Sequence, residues 1–114
     1  MKLSRLWVIL LGLAALMWST AWATAQWMKL FGDVYKPKAS TALSRARCAV
    51  CHVELDGSGG LNSYGKMLEG KPMARKSLRA IQNYDADKDK FSNIVEIRAG
   101  TLPGNAKSKP RAGR

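Results

Sequence analysis

Hydrophobic positions along this chain recur at helical spacing, in short runs separated by polar and glycine-rich breaks. Trp27, Leu30, Phe31, Val34 and Tyr35 fall at i, i+3, i+4, i+7 and i+8, so one helical face collects them. Gly32 weakens that helix, and Lys36-Pro37-Lys38 ends it. Ser40 or Thr41 can cap a second helix that runs through Leu43 and Ala46 into Cys48. Residues 54–60 (Glu-Leu-Asp-Gly-Ser-Gly-Gly) predict a flexible turn. Asn62 can cap a short helix through Tyr64, Met67 and Leu68, stopped by Gly70 and Pro72. A further helix is expected over 74–84, with Leu78, Ile81 and Tyr84 inward and Arg75, Lys76 and Arg79 in solvent. No segment alternates in the manner of a strand, so the expectation is an all-α bundle of short helices with little or no sheet.

The ends read differently. Lys2 and Arg5 precede an almost wholly apolar run, Leu6 to Met17, and Ala21-Trp22-Ala23 and Ala23-Thr24-Ala25 both fit an A-x-A cleavage site. Residues 1–25 therefore predict a secretory signal peptide, which places the chain in the periplasm. The apolar run falls short of the roughly 20 residues a membrane span needs. An uncleaved N-terminal anchor is the alternative, with Trp18 and Trp22 at the membrane interface; extracellular release is another. Residues 26–105 are expected to form one domain, and 106–114 a polar, frayed tail.

Charge adds a hint about partners. The chain carries 19 Lys+Arg against 8 Asp+Glu, a formal +11 that becomes +9 without Lys2 and Arg5. Such a balance either steers the protein toward acidic partners or simply keeps it dispersed. The basic residues form no single run and are not interleaved with aromatics, which argues against nucleic acid.

The densest chemistry is Cys48-Ala49-Val50-Cys51-His52, which uses both cysteines and the single histidine. Cys-x-x-Cys-His is the attachment pattern of c-type haem. Two thiols three positions apart can add to the two vinyl groups of one porphyrin, and the next residue offers an imidazole to the iron. A dithiol redox motif is expected after a strand, and nothing strand-like precedes Cys48. A structural zinc site wants about four ligands, and here there are three. A domain this small usually needs a staple. With both cysteines given to haem, the porphyrin is that staple.

At these residues the chain resembles the c-type cytochromes. The resemblance implies a small bundle of helices around one covalent haem, with Cys48 and Cys51 as tethers and His52 as the proximal ligand. Electron-carrying members commonly place Met on the other side of the iron. Met67, just after the glycine-rich turn, and Met73, in a looser segment after Pro72, are the candidates. Met28 is expected in the core, and Lys66 or an open position is the fallback.

A second motif, Asp85-Ala86-Asp87-Lys88-Asp89-Lys90-Phe91-Ser92-Asn93-Ile94-Val95-Glu96, matches an EF-hand-like calcium loop with flanking helices. Asp85, Asp87 and Asp89 offer carboxylates at positions 1, 3 and 5, Phe91 its carbonyl at 7, Asn93 an oxygen at 9, and Glu96 two oxygens at 12. Position 6 should be Gly and is Lys90. A turn that caps the following helix without metal is the competing reading. The two motifs together resemble small exported monohaem cytochromes with a C-terminal calcium loop. That implies a one-electron carrier, not an enzyme, acting on redox proteins with acidic docking surfaces. A haem-containing sensor, or a structural module docked to a larger electron-transfer assembly, is the alternative.

Overall fold

The computed structural model describes residues 25–111, together with Leu3, Trp7 and Ile9. Nearly all of the expected signal peptide, and residues 112–114, lie outside the described residues. Helix α1 covers 25–35, α2 Ala42–Arg45, α3 Ser63–Leu68, α4 Arg75–Ile81 and α5 Asn93–Ala99, with a 3-10 turn at Arg47–Val50 between α2 and α3. The only β-pairing among the described residues is an isolated antiparallel bridge, His52 with Leu61. The chain is all-α, as its periodicity predicts. No helix among the described residues is long and apolar enough to cross a membrane.

Helices α2 to α5 are each shorter than the roughly 12–15 residues at which an isolated helix becomes stable in water. Tertiary contacts must therefore hold them. Phe31 of α1, Leu43 of α2, Val50 of the 3-10 turn, Tyr64 and Leu68 of α3, Leu78 and Ile81 of α4 and Ile97 of α5 meet in one core. Phe31 sets its ring edge-on to Tyr64, with centroids 6.2 Å apart, and tilts against Tyr35 at 5.0 Å. Tyr35 Oη donates to the Leu78 carbonyl at 3.1 Å, tying α1 to α4.

The ends of the helices are fastened just as closely. Thr41 caps α2, its hydroxyl accepting from Ser44 N–H. Asn62 caps α3, its Oδ1 accepting from Gly65 N–H at 2.9 Å. Gly100 closes α5 in the left-handed region, where a side chain is costly. A Cβ there would also overlap Thr41. Leu43 N–H donates to the Gly100 carbonyl at 3.0 Å, so the end of α5 holds the start of α2.

Two expectations change. The second helix does not run into Cys48: Arg47 adopts φ 51 and the chain re-forms as a 3-10 turn. α4 stops at Ile81, because the segment after it is held by α5 through Asn93 N–H on the Tyr84 carbonyl and Ile94 N–H on the Gln82 carbonyl. Tyr84 is consequently exposed. Within the expected tail, Ser108 N–H donates to the Asn105 carbonyl and Ser108 Oγ accepts from Leu102 N–H.

Candidate functional site

The break before Cys48 shapes the first site. A non-glycine residue in the left-handed region costs roughly 1–2 kcal/mol, and Arg47 bears that strain one residue ahead of the motif. The turn that follows stacks the motif on itself, with Cys51 N–H and His52 N–H both donating to the Cys48 carbonyl. A loop then returns the chain, Val53 N–H to the Gly60 carbonyl and Glu54 N–H to the Ser58 carbonyl. Gly57 lies beside Cys48 and adopts φ 88, the left-handed region that favours glycine.

α3 clasps this turn from behind. Asn62 N–H donates to the Cys51 carbonyl at 2.9 Å, and Asn62 Nδ2 lies 3.1 Å from the carbonyls of Ala49, Val50 and His52. Gly65 allows the close approach, since a Cβ there would overlap the Cys51 carbonyl oxygen. An isolated glycine inside a helical pattern is the sequence signal for such an approach. Nothing in the sequence marks Asn62 as more than a cap.

Cys48, Cys51 and His52 share the wall of one cleft of about 300 Å³, with Trp27, Phe31, Val50, Leu61 and Leu68 as its apolar lining. Arg47, Glu69 and Lys71 also line it, and all three are exposed. Both thiols are free. Burial, then the neighbouring Cys48, push the Cys51 thiol up to about 12. His52 Nδ1 is buried without a hydrogen-bond partner, a costly state unless something outside the chain pairs with it. Two thiols and an imidazole on an apolar cleft make a donor set that fits a covalently tethered haem.

The methionines fall differently from expectation. Neither Met67 nor Met73 lines the cleft. Met67 packs against the core, where its Sδ accepts from Asn93 Nδ2 at 3.8 Å. Met73 is exposed outside the cleft. Met28, expected in the core, stands on the cleft wall and is 44% exposed. Lys66 is exposed and does not line the cleft.

The second site is the loop at 85–96. Asp85 Oδ1 accepts from Asp89 N–H at 3.2 Å and Asp85 Oδ2 from Lys90 N–H at 2.8 Å. Asp87 Oδ1 also accepts from Asp89 N–H, and Asp89 Oδ1 from Phe91 N–H. These bonds wrap the loop so that one carboxylate oxygen each from Asp85, Asp87 and Asp89 lies within 4.8 Å of the others. Lys88 and Lys90 adopt φ 59 and 79, the turn that glycine would make without strain.

Glu96 of α5 stands near these aspartates, outside the set whose oxygens lie within 4.8 Å of one another. It is fully buried, and its Oε1 lies 3.5 Å from the Thr101 hydroxyl. Glu96 Oε2, Asp87 Oδ2 and Asp89 Oδ2 are buried with no partner. Burial, then Asp87, Asp89 and Asp85, push the Glu96 carboxyl up to about 9. Burial, then Asp89, push Asp87 up to about 6. Facing carboxylates with orphaned oxygens are the arrangement that a hard cation neutralises.

Asn93, expected at loop position 9, has another task. Its Oδ1 accepts from Ala86 N–H at 3.1 Å and its Nδ2 donates to the Ile81 carbonyl at 2.8 Å, fully buried. It bolts the end of α4 to the start of α5. The family, curated-protein and solved-structure comparisons each find no match for the chain.

Proposed function

We propose that this chain is an exported one-electron carrier holding one haem c through Cys48, Cys51 and His52. One observation carries the reading: both thiols and the imidazole, the latter with an orphaned buried nitrogen, stand on the wall of one apolar cleft. When bound, haem supplies reversible one-electron exchange at its iron. Cys48 and Cys51 are the tethers, and their positions are set by the turn that Asn62 clasps. His52 is the protein's iron ligand. Trp27, Phe31, Leu61 and Leu68 keep water from the buried part of the cleft. At its rim, Arg47 and Lys71 present positive charge, and α4 exposes Arg75, Lys76 and Arg79. Among the described residues one ion pair forms, Lys29 with Asp33. The basic side chains are thus available to steer an acidic redox partner.

We also infer that Asp85, Asp87, Asp89 and Glu96 hold a calcium ion for structure. Their oxygen donors suit a hard cation, and the ion would offset the burial, and then the repulsion from the aspartates, that lift Glu96.

Covalent attachment is the decisive test. The chain, exported in a host that attaches c-type haem, should keep haem stain on a denaturing gel after acid-acetone extraction. Cys48→Ala with Cys51→Ala should remove the stain. Stain that acid-acetone strips from the unaltered chain would sink the reading.

A further inference from the structure

We propose that Met28 is the second residue of this chain that would ligate the haem iron, together with His52; this rests on the electron-carrier reading above. Among the methionines 28, 67 and 73, only Met28 shares the cleft with Cys48, Cys51 and His52. It belongs to α1 but not to the core packing of that helix: Trp27, Leu30, Phe31, Val34 and Tyr35 pack inward, while Met28 remains 44% exposed beside the apolar wall. An unbranched thioether at that place can swing over a bound plate at little conformational cost.

The rivals are committed elsewhere. Releasing Met67 would break its contact with Asn93 Nδ2 and remove it from the core it packs against. Met73 lies in a segment pinned by the buried Ser77, whose Oγ donates to the Pro72 carbonyl at 2.6 Å. Of the other polar groups on the wall, a Lys71 ammonium has no lone pair until it loses a proton, and Glu69 offers a hard oxygen. Thioether ligation favours the ferrous state and raises the potential, which suits a carrier.

The test compares the unaltered exported chain with Met28→Leu, Met67→Leu and Met73→Leu. Each is read by gel haem stain, by the weak far-red band of a thioether–iron(III) bond, and by reduction potential. The expected result is a band in the unaltered chain, retained in Met67→Leu and Met73→Leu and lost in Met28→Leu. In Met28→Leu covalent haem should be undiminished and the potential lower. Met28→His should likewise lack the band, since imidazole replaces sulfur. Three results overturn the assignment: a band that survives Met28→Leu, a band lost in either other variant instead, or no band in an unaltered chain that carries covalent haem. Absence of covalent haem from the unaltered chain overturns the carrier reading as well, and the stain separates that outcome from the others.

Discussion

Asn62 uses both ends of its amide on backbone, Oδ1 as the cap of α3 and Nδ2 on the carbonyls of the Cys48–His52 turn. Removing it exposes an uncapped helix end and leaves part-buried carbonyls unpaired. Asn62→Ala should therefore cost about 2–4 kcal/mol, combining the loss of a cap with that of buried hydrogen bonds. Urea unfolding followed by far-ultraviolet circular dichroism measures it, and a loss under 1 kcal/mol would show that the clasp is dispensable. The motif's spacing was legible residue by residue, because it is written in the sequence itself. The clasp was not, because an asparagine before a helix looks the same whether it caps one end or also reaches across to another loop. The same holds for Asn93. Its position in the loop suggested an oxygen ligand, but its fully buried amide pairs with Ala86 and Ile81 instead.

At the scale of elements, the loop at 85–96 pays for its turn with strain. Lys90 at φ 79 takes a conformation that costs a side chain roughly 1–2 kcal/mol. Lys90→Gly should raise ion-free stability by about 1 kcal/mol, less whatever glycine adds to unfolded-state entropy. It should also tighten calcium binding by removing a positive charge from the loop. Thermal melting in chelator and calorimetric titration with calcium separate the two effects. Lower stability in chelator together with unchanged affinity would refute both. Helix positions were predictable from periodicity, and the Thr41 and Asn62 caps fell where expected. The end of α4 was not predictable, since Tyr84 continues the apolar spacing and only the grip of α5 on Gln82 and Tyr84 stops the helix.

Across the whole molecule, the acidic loop and the cleft are joined despite their distance in sequence. Asn93 touches Met67 on α3, and Gly100 holds Leu43 on α2. Ion binding should thus stabilise the entire fold by mass action, about 2.7 kcal/mol at one hundred times Kd. The pH dependence tests the same linkage. Without calcium, Glu96 titrates near 9 when folded, against its ordinary 4.5. Between those values the folded state holds a proton that the unfolded chain has lost. The Glu96 contribution to ion-free stability is therefore full below 4.5 and falls as pH rises toward 9. Saturating calcium, which binds the ionised form, should abolish that fall. Melting temperatures from pH 5 to 9 in chelator and in calcium check it, and parallel curves would exclude calcium binding at this loop.

Charge acts at this scale too. If the basic surface steers partners, electron transfer to an acidic protein should slow as salt rises past about 0.1 M, where screening reaches about 10 Å. Stopped-flow rates that ignore salt would leave the charge a dispersing role. The sequence by itself determined the helical class, the thiol–thiol–imidazole motif and the row of aspartates, because each is written in local spacing. Tertiary structure alone decided that Met28, rather than Met67 or Met73, shares the cleft with His52. It alone also buried Glu96 against three aspartates. Which side chains meet across a cleft depends on how helices pack, and packing joins residues whose separation along the chain carries no record of the contact.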